Sequence, residues 1–395
     1  MKTMNKDPKI DRTPPEFRLM LLCSGKSMSE AQIAEVQAIL SEGVDWKVFM
    51  TLLDKHRMIP VVFDNLKVFF KDETETPGLR RLGFFRKQCM ARSMRIASAW
   101  VSINAAMNEA DVRVIHLKGP ALSLRIYGDI DSRISKDLDL LVDTVDIERA
   151  DRVLKDVGYT RQIPASDMTP RQKELWFKNN HHYSYLGPNA MNIELHFRLS
   201  LFLYEISFDE LWAKRRTDRY GGTEYAYLSP EEELLFCAYH GAKHGWSRMR
   251  WLLDVNELIR IGAADPGRLA ELAGERRLTR VLSQAFILCE RFYRTEISAD
   301  LLAAGGKAGS GRRLAEMAIP MIMAPEDGIG TFDSKRYGFC LEKGVMKKRR
   351  FIAMHFQPQE GDFESASFGD KAFFAYYPVR ILNWLRKKLS RGEKK

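Results

Sequence analysis

Lys136-Asp137-Leu138-Asp139-Leu140-Leu141-Val142 is the stretch on which the reading of this chain turns. Its short, apolar character predicts a β-strand over Leu138 to Val142. On a strand, residues i and i+2 share a face, so Asp137 and Asp139 project side by side while Leu138 and Leu140 point into the core. Two carboxylates a few Å apart repel each other unless a cation lies between them or one is protonated. Hard oxygen ligands at this spacing are what Mg²⁺ binds, usually together with substrate phosphates. A third carboxylate, Glu194, lies in Asn192-Ile193-Glu194-Leu195-His196, a second predicted strand that could run beside the first. Three carboxylates on adjacent strands could hold two metal ions ~4 Å apart, the arrangement suited to in-line displacement at phosphorus. A second Asp-x-Asp, at Asp129-Ile130-Asp131, falls in a turn and reads as structural.

Outward from the carboxylates the pattern is mixed. Val112 to Leu117 is short and β-branched, as a strand should be. Lys118-Gly119-Pro120 follows, then an apolar run from Ala121 to Tyr127 that fits a short helix with Pro in its first turn. Lys118 at this strand-to-helix turn suits an anion, because helix N-termini carry partial positive charge. Asp146 to Val157 has helical spacing and stops at Gly158. His182 to Leu186 and Asn192 to Phe197 predict a hairpin across Gly187-Pro188-Asn189-Ala190, with His181 and His182 at its head.

On either side the chain reads as helical. Before the strands, Ser27 and Glu30 have capping-box spacing, Trp46 to His56 predicts one helix, and Pro77-Gly78 introduces a long one from Leu79 to about Ala110. After them, Ser229-Pro230-Glu231-Glu232 is a strong helix start, and helices continue through Ile261. Ala303 to Gly311 reads as a loop, and Val379 to Leu389 as a terminal amphipathic helix docked on the body. The expected class is α+β, a mixed sheet with flanking helical regions. It divides into an N-terminal helical region (1–110), a core (111–228) and a C-terminal helical region (229–395).

Composition narrows the setting. Hydrophobic residues make up 45% and charged residues 29%, an ordinary soluble globular balance. The five cysteines are odd in number, scattered and without a CxxC pair, which points to reduced thiols in a cytoplasmic protein. No signal peptide pattern stands in Met1 to Glu16, and no apolar run approaches the ~18 residues of a membrane span. The formal charge of +10 suits phosphate-bearing ligands, nucleic acid or an anionic membrane surface without choosing among them. Six of the last ten residues are Lys or Arg, read here as a frayed, solubilising tail, with peripheral membrane contact as the lesser alternative.

The run His116-Leu117-Lys118-Gly119-Pro120-Ala121-Leu122, then Tyr127-Gly128-Asp129, Arg133 and Asp137-Leu138-Asp139-Leu140-Leu141-Val142, resembles the uncharacterised bacterial nucleotidyltransferase family of the polymerase-β-like superfamily. Ile193-Glu194-Leu195-His196-Phe197-Arg198 looks like that family's "ELHW" segment. Leu228 to Leu234 and His240 to Trp246 look like its downstream helical signature. The resemblance implies a nucleotidyltransferase fold, with Asp137 and Asp139 as paired Mg²⁺ ligands and Glu194 as the third carboxylate, either a ligand or the group that takes the proton. It implies transfer of a nucleoside monophosphate from a nucleoside triphosphate to a hydroxyl, on a small molecule or saccharide by preference. One metal would activate the hydroxyl and the other steady the pyrophosphate. The wider superfamily places Gly-Ser or Gly-Gly after its first strand. Here Lys118-Gly119-Pro120 stands instead, Pro120 has no N–H to donate, and Ser123 lies one turn on.

Further substrate contacts are expected from Lys118, Gly119, Ser123, Arg133, Lys136, His240, Lys243 and His244. Arg133 and Lys136 could neutralise a triphosphate or pair with Asp129 and Asp131. His240 and His244 have a metal-capable i, i+4 spacing without the Glu of HExxH, and the resemblance turns them, with Lys243, toward the cleft. Trp246, Arg248, Arg250 and Trp251 either stack on a base or pack in the core. Two other functions fit the same residues: a toxin-like or regulatory enzyme acting on RNA or protein, and a non-catalytic nucleotide-binding protein that keeps the fold.

Overall fold

The computed structural model describes residues 13–392 apart from 73, 166–167, 201–205, 308, 325–330, 342–343, 345–348, 350–351 and 354–355. The readings of residues 1–12, Lys394 and Lys395 fall outside the described residues. Seven strands form one mixed sheet: β1 (Val114–His116), β2 (Asp137–Val142), β3 (Thr160–Ile163), β4 (His182–Leu186), β5 (Asn192–His196), β6 (Arg216–Tyr220) and β7 (Thr223–Tyr227). Their order is β3-β4-β5-β2-β1-β7-β6. β2 lies near the middle, antiparallel to β1 and parallel to β5.

Period-2 alternation decides which side of the sheet meets which helices. Leu138, Leu140 and Val142 pack with Ile193 and Leu195 of β5, Tyr183 and Tyr185 of β4, and Trp100, Ile103 and Met107 of the helix Pro77–Glu109. Leu141 and Ile115 face the other way, into a larger core shared with Leu234, Leu235, Leu252 and Leu253 of the helices Pro230–Lys243 and Met249–Ile261. Asp139, two residues before Leu141, is therefore turned toward those helices. This alternation places the site.

The helices before the sheet follow the predicted spacing, with Trp46–His56 and Pro77–Glu109 among them. The capping box lies two residues later than expected. Ser29, not Ser27, accepts from Gln32 N at 3.3 Å, and Ser29 N donates to Gln32 Oε1 at 2.9 Å; Glu30 is the first helical residue. Ser229 caps the helix Pro230–Lys243 as its sequence predicts.

Three strands escaped the reading. β3 is polar and at the sheet edge, without an apolar alternation to reveal it. β6 and β7 form a hairpin across Gly221 and Gly222, whose φ values of 59° and 82° suit a two-residue turn that needs positive φ twice. β7 then pairs in parallel with β1. Ala303 and Ala304 close the helix Ala299–Ala304, so the loop is shorter than Ala303 to Gly311.

The helix Tyr376–Gly392 departs more sharply from expectation. It is held at its polar side: Asn383 donates to Asp362 and to Ser365, each at 2.9 Å, and Arg380 lies 3.8 Å from Asp362. Its apolar residues Ile381, Leu382 and Leu385 are exposed rather than buried against the body.

Candidate active site

The β2–β5 register sets Asp139 opposite Glu194 and Leu141 opposite His196. On β5, Glu194 and His196 are two residues apart and share a face, so both stand beside Asp139. His196 Nε2 bridges the two carboxylates, 3.2 Å from Asp139 Oδ1 and 3.3 Å from Glu194 Oε2. Lys118, delivered by the turn after β1, brings its Nζ to 3.0 Å from the same Asp139 Oδ1. Asp137, half-buried at the start of β2, joins them in lining a cavity of about 390 Å³. Asp139 is almost wholly buried, whereas the Glu194 side chain keeps 32% of its surface. Three carboxylates thus converge where a ligand can reach.

Their charges are unequal. Burial would raise the Asp139 carboxyl, but the Lys118 ammonium and the His196 hydrogen bond outweigh it and hold Asp139 well below the usual carboxylate range. Glu194 is likewise lowered, its burial overcome by the bond from His196. Asp137 goes the other way: burial, then the negative charge of Asp139, push its carboxyl up. Burial would lower the His196 imidazole, but its bonds to Asp139 and Glu194 outweigh that and raise it.

The helix Pro230–Lys243 and the turn after it form the opposite wall. His240, Lys243 and His244 all line the cavity. Lys243 Nζ lies 3.3 Å from His181 Nε2, and His244 stacks on Trp251 with ring centroids 4.9 Å apart. Desolvation in the crowded cavity wall, followed by the charge of Lys243, lowers the His244 pKa. A packing contact seats this wall: Trp246 is fully buried, and a Cβ on Gly241 would lie 2.2 Å from its ring. Gly241→Ala should therefore destabilise the protein by about 1–3 kcal/mol through overpacking. A urea melt reads the loss, and an unshifted midpoint would contradict it.

Other expected contacts are placed differently. Ser123 is fully buried in the helix Pro120–Tyr127 and does not line the cavity. Gly119 is not a lining residue either; it adopts φ 70° at the N-cap of that helix, a backbone role that favours glycine. Arg133 lines the wall but pairs with neither Asp129 nor Asp131. Its guanidinium grips Asp254 at 2.8–3.1 Å and donates to Ser135. Asp131 instead pairs with Arg86 at 2.7 Å, and Asp129 accepts from Asp131 N and Ser132 N, the structural turn its sequence suggested. Lys136 is exposed outside the lining, where Arg57 foremost, with Arg248 and Arg92, depresses its pKa. Trp246 is core, Arg250 is buried beside Asp254, and Trp251 and Arg248 line the cavity.

Sequence reasoning passed over His196 as a site residue, although its i+2 spacing from Glu194 put it on the same face. It also passed over Arg57, which closes the helix Trp46–His56 with φ 56° and lines the cavity from the far end of the chain. No local pattern signals that placement.

Among known families, one described as "uncharacterised nucleotidyltransferase" has a profile that matches residues 42–294. The chain belongs to this nucleotidyltransferase family. The matched span contains every residue that lines the cavity, from Arg57 to Trp251, and ends before the helix Tyr376–Gly392. Among solved structures, an antigenic nucleotidyltransferase-like protein from Paracoccidioides brasiliensis is similar at 15% identity. The match covers 53% of this chain and 95% of that one, with a TM-score of 0.31. No curated protein matches. As in any nucleotidyltransferase, the expected ligand is a nucleotide. No helix among the described residues is long and apolar enough to cross a membrane.

Proposed function

We propose that this nucleotidyltransferase moves a nucleoside monophosphate from a nucleoside triphosphate to a hydroxyl, with Mg²⁺ held by Asp137, Asp139 and Glu194. The observation that carries the reading is the convergence of Asp139 and Glu194 across β2 and β5, with Asp137 beside them, at the wall of an open cavity. Ligand atoms of Asp139 and Glu194, together with one of His196, lie within 4.8 Å of one another, close enough for the two carboxylates to share one ion; Asp137 stands outside that group and lines the same cavity. Asp137 is raised first by burial and then by the charge of Asp139, and a dication between the carboxylates would offset the second of these. Mg²⁺ would polarise the phosphoryl oxygens and lower the pKa of the acceptor hydroxyl.

The protein's own groups do the positioning. Lys118 and His196 both contact Asp139 at Oδ1 and so fix the carboxylate in place. His196 spaces the two carboxylates by bonding both. Lys243, with Arg57 and Arg248 at the rim, supplies positive charge for a phosphate chain entering the cavity. Glu194, the more open carboxylate, is the group suited to accept the proton of the attacking hydroxyl. A saccharide or other small hydroxyl compound is the acceptor proposed, since the cavity volume falls within the range of small-molecule sites.

The test is a screen of the four nucleoside triphosphates for Mg²⁺-dependent pyrophosphate release in the presence of sugar and polyol acceptors. One nucleotide should release pyrophosphate with wild type, and Glu194→Gln should lower kcat on the order of 10²-fold, within the range of general acid–base catalysis. Binding of a nucleotide without release under any acceptor would favour a non-catalytic role.

A further inference from the structure

We infer that the helix Tyr376–Gly392 is a docking surface for an anionic lipid membrane. The helix is mounted with its polar side inward. Tyr376 is fully buried and its hydroxyl bonds Phe368 N and Ala366 O, Asn383 reaches Asp362 and Ser365, and Arg380 lies against Asp362. One helical turn apart on the outer side stand Tyr377, Ile381 and Leu385, with Leu382 beside them. Ile381 is 54% exposed, Leu382 55% and Leu385 43%, and Phe374 just ahead of the helix is more exposed still. A helix that secured its fold by burying apolar area would present the opposite side to the protein.

Charge chooses the occupant. From Lys371 to Gly392 the chain carries six basic residues, at 371, 380, 386, 387, 388 and 391, and no Asp or Glu. An exposed apolar strip with an aromatic residue at its edge, on a segment rich in Lys and Arg, is the composition of a helix that lies in the interface of an acidic bilayer. Each basic residue near such a surface contributes attraction that a neutral bilayer lacks. A second copy of this chain is a poor occupant, because pairing two such helices would set their basic clusters against one another. With 17 residues and these charges, the helix lies on the membrane rather than crossing it. The catalytic cavity is built from other elements, so this surface stands or falls independently of the transfer reaction.

Vesicle sedimentation of the full chain tests the inference, with vesicles of phosphatidylcholine alone and of phosphatidylcholine with about a third phosphatidylglycerol. Wild type should bind the anionic vesicles at least about tenfold more tightly than the neutral ones, and 0.5 M salt should weaken that binding. Ile381→Glu/Leu385→Glu, at exposed positions, should lose binding by at least about tenfold while keeping the wild-type circular dichroism and Tm. Arg386→Glu/Lys388→Glu should lose the preference for anionic lipid. No sedimentation with anionic vesicles would overturn the proposal, as would unchanged binding by the Ile381/Leu385 variant. A dimer in solution that Ile381→Glu/Leu385→Glu dissolves, with no vesicle binding by wild type, would assign the face to a second copy instead.

Discussion

Asp139→Asn should lower kcat on the order of 10²–10³-fold while leaving nucleotide affinity less affected, because metal stabilisation of phosphoryl transfer contributes several kcal/mol. The substitution keeps volume and one oxygen but removes the charge to which Lys118 and His196 are both bonded. Three consequences combine. The proposed cation would lose its most deeply seated ligand, Lys118 would lose its partner Asp139, and His196 would lose one of the two carboxylates it contacts. Burial makes each loss larger than it would be at a surface. Steady-state kinetics over a range of Mg²⁺ concentrations read the effect, with a thermal melt to show that the fold persists. A kcat within threefold of wild type would remove Asp139 from the proposed chemistry.

The second large effect concerns stability. Asp254→Ala should destabilise the protein by about 3–5 kcal/mol, the usual consequence of removing one partner of a buried ion pair. Arg133 binds Asp254 through Nε and Nη2, and Arg250 Nε lies 3.3 Å from the same carboxylate; all three side chains are nearly inaccessible. Burial would lower the Arg133 pKa, but Asp254 outweighs it and keeps the guanidinium charged. Without the carboxylate two buried guanidiniums would face each other unpaired. The pair also ties the segment before β2 to the helix Met249–Ile261, so its loss should loosen the wall that carries Trp251. Urea unfolding measures the change. A loss under 1 kcal/mol would mean that water or another anion replaces Asp254.

How much of this was legible in the sequence depends on the range over which the information acts. The two central strands were readable because β-branched and alternating residues report burial locally, as Leu138 and Leu140 do around Asp139. That the Glu194 strand could run beside that of Asp139 is readable from the sequence; the register that sets the two opposite comes only with the fold, and the i+2 rule extends it to His196. The β6–β7 hairpin was missed although Gly221-Gly222 is a recognisable turn, because its first strand, Arg216 to Tyr220, is polar and exposed. Arg133 illustrates a different limit. Nearby Asp129 and Asp131 were the local partners on offer, yet its partner lies 121 residues on, where only the tertiary fold brings it. Arg57 reaches the cavity for the same reason. The helix Tyr376–Gly392 has the periodicity of a docked helix, and periodicity reports that an apolar side exists, not which way it faces.

The proposed site would hold a divalent cation between β2 and β5, and direct metal binding tests it without reference to any acceptor. Mn²⁺ should be titrated, with electron paramagnetic resonance as the readout, into wild type and Asp137→Asn/Asp139→Asn, each with a non-hydrolysable nucleoside triphosphate analogue. Wild type should take up Mn²⁺, and the double variant should bind it at least about tenfold more weakly. Equal uptake by the two proteins would place the cation elsewhere and contradict the proposed site.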